Sequence, residues 1–158
     1  QRCYRTSGAF TDSIPAGPRA VKIEFYVLPT TQTADRLNAA CRLAHKAWRA
    51  GFMTFIRCSD ASQQKEVDEL LWTFRRHSFI PHEPYTTTAT APVQIGIDER
   101  PHWQAAVLIN LNHSMSTHLD CFTRVIEIVN QEPELLKVCR QNFVSYREQG
   151  YQPQRVEL

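Results

Sequence analysis

Glycine is scarce in this chain. Gly8, Gly17, Gly51, Gly96 and Gly150 are the only five among 158 residues, and no two are spaced for GxGxxG or for GxxxxGK followed by Ser or Thr. A phosphate-cradling turn needs glycine so that backbone N–H groups can approach the anion. The strand-to-helix corners, Pro29-Thr30-Thr31 and Cys58-Ser59-Asp60, offer no such approach. This argues against a dinucleotide enzyme or a P-loop ATPase, by fold-level analogy. No apolar run approaches the ~18 residues that a membrane-spanning helix requires. Charge of one sign is also missing: the net charge is +2, whereas a dedicated nucleic-acid binder usually shows a clear basic excess.

The five cysteines, Cys3, Cys41, Cys58, Cys121 and Cys139, are odd in number and form no CxxC pair. Free buried thiols in a reducing cytoplasm are the expected state. His113, His118 and Asp120 are the nearest approach to a metal cluster, but a spacing of five fits neither a helical zinc pair nor the other common patterns. They read as surface or turn residues, and His45 as a core-edge residue of the first helix. There is no GxSxG elbow. The paired carboxylates Asp68-Glu69 and Glu132/Glu134 fall on solvent faces. The sequence thus names no catalytic residue and no metal site.

What is present is a regular alternation of strands and helices. An apolar content of 42% supports a real core. Val21–Leu28, Phe52–Cys58, Val93–Ile97, Ala105–Asn110 and Val125–Val129 read as strands. Thr33 is a candidate N-cap for a helix over Ala34–Ala50, whose stripe of small and apolar residues suits close packing on a sheet, and Gly51 ends it. Ser59 or Asp60 caps the next helix. Glu83–Pro92 reads as a loop, Leu119–Phe122 as one helical turn, and Asn130–Gln149 as a last helix with Pro133 near its start and Gly150 at its close. Alternation of this kind predicts an α/β domain with a mainly parallel sheet of about five strands, covered on both faces. It occupies residues 21–158. Residues 1–20, without periodicity or an apolar h-region, read as an extension that adds little to the core.

Two features exceed what a core requires. In Val67–His82, VDELLWTFRRHSFIPH, Val67, Leu70, Leu71 and Phe74 draw one apolar stripe along a helix. Trp72 lies about 140° round from Val67. Trp72 and the Phe79-Ile80-Pro81 corner are therefore large apolar groups outside the stripe, either covered by a local loop or kept for a partner. In the last helix, Leu135, Val138, Cys139, Asn142 and Tyr146 face the sheet. Leu136, Arg140, Phe143 and Arg147 run along the flank, so apolar and basic side chains alternate in one row. Such a row suits a short acidic peptide with an aromatic group. The simpler alternative is solvated arginines near a helix C-terminus, where cations are favoured.

The segments KIEFYVL (Lys22–Leu28), AWRAG (Ala47–Gly51), VDELLW followed by SFIPH, and FVSYREQGY (Phe143–Tyr151) together resemble the chi subunits of bacterial DNA polymerase III. The resemblance covers about residues 21–151. It implies a non-catalytic, cofactor-free accessory protein of three-layer α/β/α architecture, cytoplasmic at the replication fork. Two partners follow from it: the psi subunit, which ties chi to the clamp loader, and the acidic C-terminal tail of single-stranded-DNA-binding protein, which ends in Phe. DNA itself would be met only indirectly.

By the same resemblance, Phe79 matches the aromatic of the psi contact. Trp72 sits in the matching helix end, and Ile80, Pro81 and His82 complete that corner. Val129, Arg140 and Phe143 match positions lining the tail site, with Leu136, Val144 and Arg147 beside them. Leu136 and Val144 depart from the pattern, since relatives can carry lysine there, which leaves the number of cations at the site open. The competing class is a small α/β enzyme or nucleotide-binding domain without a glycine-rich loop. Direct DNA binding is a weaker third, opposed by the balanced charge.

Overall fold

The computed structural model describes residues 21–76, 79–103 and 106–158. The extension read over residues 1–20 lies outside them, as do His77, Ser78 and Ala105. Among the described residues seven strands form one sheet: β1 Lys22–Val27, β2 Thr54–Arg57, β3 His82–Pro84, β4 Val93–Gly96, β5 Ala106–Asn110, β6 Phe122–Val129 and β7 Gln154–Glu157. Their order is β3-β4-β2-β5-β6-β1-β7, and every neighbouring pair is parallel. Three described helices cover it: α1 Thr33–Arg49, α2 Ala61–Thr73 and α3 Pro133–Glu148. A 3-10 turn, Leu119–Cys121, precedes β6. No described helix is long and apolar enough to cross a membrane.

Alternate side chains of each strand feed two cores, as the pleat requires. On one face, Tyr26, Ile56, Ile109, Ile126 and Ile128 meet α1 and α2, which contribute Leu37, Ala40, Cys41, Ala44, Val67 and Leu71. On the other, Phe25, Phe55, Leu108 and Val125 meet Leu135, Cys139 and Tyr146 of α3. Ala39, Ala40, Ala44 and Ala47 are fully buried, so α1 lies close on the sheet as its small residues predict. The result is the three-layer α/β/α domain.

Local chemistry sets the helix ends. Asp60 caps α2, its carboxylate accepting from the Gln63 amide at 2.8 Å, and the Gln63 side chain accepts in return from the Ser59 amide at 2.8 Å. Glu132 caps α3 through the Leu135 amide at 2.9 Å, with Pro133 just inside. Thr33 is not the cap of α1 but its first residue. The N-cap is Gln32, which makes no side-chain capping bond; the first turn is served instead by Asp35, whose carboxylate accepts from the Thr30 hydroxyl at 2.6 Å. Gly51 and Gly150 follow α1 and α3 at φ +92° and +96°, the left-handed conformation that glycine adopts without a Cβ penalty.

Two strands go beyond the five read from periodicity, and both lie at sheet edges. β3 takes the start of the stretch read as a loop; it is three residues long and ends in Pro84. β7 is polar, QRVE, with only Val156 partly buried. Edge strands bury little and tolerate proline and charge, so neither carries an apolar signature.

Candidate functional site

At the end of α2, Trp72 and Phe79 are 56% and 60% exposed. Their ring centroids lie 5.8 Å apart, and Trp72 also stands 4.6 Å from the His82 ring. His82 is the post of this arrangement. Its side chain is buried, with Nδ1 2.7 Å from the Ile80 carbonyl and Nε2 3.1 Å from that of Asp68. Ile80 points the other way, into the core beneath α1 and α2, and Pro81 is half-buried, its carbonyl accepting from the Val93 amide at 3.3 Å. The five corner residues are thus two exposed rings and three groups that hold them. The exposed pair is a continuous apolar surface that the packing of the described residues leaves outside.

On the opposite layer, α3 presents the second row. Val129 and Leu135 belong to the core under it. Leu136 and Phe143 are half-buried at its rim, while Arg140, Val144 and Arg147 are exposed. Phe143 packs on Phe25 with centroids 5.2 Å apart. It also lines, with Arg147, an open pocket of about 340 Å³ whose far wall is Tyr151, Gln152 and Pro153. Those three residues, which lead into β7, are members of the site that sequence reasoning did not nominate. The only available signal was Tyr151 following the helix-ending Gly150. Among the described residues no carboxylate pairs with Arg140 or Arg147. A partner with an apolar group and carboxylates meets both needs here. Apolar seating, ~1.5–3 kcal/mol for a Phe, outweighs an exposed ion pair at ~0–1 kcal/mol.

A ligand of an α/β enzyme would sit outside the carboxyl ends of the strands. Here that region holds a closed polar network. Arg57, at the end of β2, is buried and donates to Asp98 Oδ1 at 2.7 Å, to the Ile97 carbonyl at 3.1 Å, to Asn110 Oδ1 at 3.3 Å and to the Ser114 carbonyl. Asn110 donates to both carboxylate oxygens of Glu127, at 3.0 and 3.1 Å, and the Tyr146 hydroxyl of α3 donates to Glu127 Oε2 at 2.7 Å. Arg36 reaches from α1 to the carbonyls of Ile128 and Leu111 at 3.1 and 3.2 Å. Burial pushes the Glu127 carboxyl up to about 7, although Tyr146, Asn110, Arg57 and Arg36 all pull it down.

Each of these groups has a neighbour as its partner, and the Tyr146–Glu127 bond ties α3 to the sheet. Cys41, Cys58 and Cys139 are free and buried; burial pushes their thiols up to about 12, leaving them unreactive. His118 is held by the Asp98 carbonyl, and Asp120 by Arg100. Among the described residues no group of three His, Cys, Asp or Glu side chains is placed to hold a metal.

Comparison with known proteins gives the family. The family model described as DNA polymerase III chi subunit, HolC, matches residues 21–154. The chain is 42% identical over 130 residues to DNA polymerase III subunit chi of Pseudomonas aeruginosa, an alignment covering 82% of this chain and 92% of that protein. It is 32% identical over 134 residues to the Escherichia coli subunit, covering 80% and 91%, and 30% identical over 131 residues to that of Haemophilus influenzae, covering 81% and 91%. The match spans all the elements that build both surfaces, and the chain belongs to the DNA polymerase III chi subunit family.

Proposed function

We propose that this chain is a non-catalytic accessory subunit of the DNA polymerase III holoenzyme, bridging the clamp loader, through psi, to the C-terminal tail of single-stranded-DNA-binding protein. The supporting observation is the pairing of two partner-ready surfaces, Trp72 with Phe79 and Phe143 with Arg140 and Arg147, on opposite layers of one rigid sheet. A bridge needs two contacts that do not compete, and this arrangement supplies them. The first surface is apolar and suits a psi subunit that presents an apolar face. The second couples unpaired guanidinium groups to an aromatic rim and suits an acidic tail ending in Phe. The setting is the cytoplasm, at the replication fork.

Two single substitutions separate the contacts. Phe79→Ala should abolish co-purification with psi and leave binding of a tail peptide intact. Phe143→Ala or Arg140→Ala should weaken the tail peptide, bound in the micromolar range of small interfaces, and leave psi untouched. Calorimetry showing full tail affinity in both α3 variants would remove that site from the proposal. A nucleotide-dependent rise in melting temperature with ATP or NAD would favour the enzyme reading instead.

A further inference from the structure

A third surface is built from the outer side of α1 and the end of α2, apart from both contacts above. Arg42 and Lys46 lie one helical turn apart and are exposed. Phe74 and Arg75 bring a third cation to the same opening, a groove of about 330 Å³ floored by Ala39 and Leu43. Phe74 is about 200° round α2 from Trp72, so this groove and the Trp72 surface lie on different sides of that helix. Arg75 Nη1 is 3.4 Å from His45 Nδ1, and the His45 ring packs against Trp48 and Phe74 with centroids 5.9 and 6.3 Å away.

No Asp or Glu side chain lines the groove, whose wall Leu158 completes, and among the described residues none pairs with Arg42, Lys46 or Arg75. In a chain of net charge +2, three cations around one apolar opening are a local concentration rather than a consequence of composition. Lys46 is favoured by its place in the last turn of α1, but like charges at i, i+4 cost helix stability, which its pairing with Arg42 does not relieve. The field is felt by His45, which is held below the ordinary imidazole value by burial, by Arg75 and by Arg49.

We propose that this groove binds an acidic peptide segment carrying one apolar side chain, with the apolar group seated on Leu43 and Phe74 and the carboxylates on Arg42, Lys46 and Arg75. Single-stranded nucleic acid is the other polyanion to weigh. It binds through flat aromatic platforms on which bases stack, whereas the His45, Trp48 and Phe74 rings are packed tilted and edge-on against one another. The near-neutral chain also lacks the wider basic field that nucleic-acid binding uses. The groove shares no residue with the α3 site, so the inference stands apart from the proposed bridging role.

The test is an amide NMR titration of the full chain with an end-capped Asp-Asp-Phe-Asp-Asp peptide at low salt. Saturable shifts should appear at residues 42–46 and at Phe74, and should persist in an Arg140→Glu/Arg147→Glu variant that removes the α3 cations. Affinity should fall at least tenfold in Arg42→Glu/Lys46→Glu, and several-fold when the peptide's Phe is replaced by Ser. Both α1 side chains are exposed, and the titration of the unaltered chain gives its answer even if that variant misfolds. Shifts confined to α3, shifts that do not saturate, or tighter binding of oligo-dT than of the peptide at the groove would overturn the proposal.

Discussion

Glu127 offers a quantitative test of the network that anchors α3. Its carboxyl rises from 4.5 to about 7 in the folded chain, with burial as the main cause. The folded state therefore holds the proton to higher pH than the unfolded chain does. The linked stability is fully present below about pH 4.5 and is lost as pH rises to about 7. The gap corresponds to about 3 kcal/mol, a large share of the ~5–15 kcal/mol that stabilises a typical domain.

Glu127→Gln keeps the shape and removes the titration. The Gln carbonyl can still accept from Tyr146, while its amide meets the Asn110 amide that now donates to the carboxylate. That mismatch costs about 1–3 kcal/mol, independent of pH. The informative quantity is thus the difference between parent and variant, measured by urea denaturation at steps from about pH 4 to about pH 8. His45, held low mainly by burial, gives a dependence of opposite sign, but it is common to both proteins and cancels. The parent's advantage should shrink by about 3 kcal/mol across the range, most of it between pH 4.5 and 7. A flat difference would show that Glu127 does not titrate as a buried carboxyl, and the account of the network would be wrong.

Other expectations follow from single contacts. Asp60→Ala removes the α2 cap that accepts from the Gln63 amide and should cost ~1 kcal/mol in the same denaturation assay, leaving tail binding unchanged. Gly96→Ala would place a Cβ against the Glu99 carboxylate and 2.7 Å from the Phe55 ring; overpacking of that kind should cost ~1–3 kcal/mol, seen as a lowered melting temperature.

Much of this molecule is legible in its sequence because periodicity reports burial. The small-residue stripe of α1, the halt at Gly51, the Asp60 cap and the sheet-facing row of α3 are local signals. Trp72 was legible as an outsider from helix geometry alone. The Phe79-Ile80 pair was legible only in part: the two residues are adjacent and both apolar, and only the folded chain shows Ile80 in the core and Phe79 outside it. The carboxyl-end network was not legible. Arg57, Asn110 and Glu127 read singly as polar residues within or ending strands, and only the cross-strand registers Arg57↔Asn110 and Asn110↔Glu127 make them one cluster. The far wall of the α3 pocket was missed for the same reason: Tyr151, Gln152 and Pro153 meet Phe143 and Arg147 only because the chain turns back after Gly150.

Placement on opposite layers makes a further demand on the bridging role. Trp72 and Phe79 rest on the α1 and α2 side, whereas Phe143, Arg140 and Arg147 belong to α3, with the whole sheet between them. Groups so separated lie more than ~10 Å apart, and substitutions that share no partner add within ~0.3–0.5 kcal/mol. Tail affinity should therefore be the same with and without psi bound, and the double variant Phe79→Ala/Arg140→Ala should lose each contact by the amount its single variants do. Calorimetric titration of the tail peptide into the chain alone and into its psi complex measures the coupling directly. A coupling above about 1 kcal/mol would mean that α2 and α3 communicate through the sheet, and the domain would then be a relay between its partners instead of a passive strut.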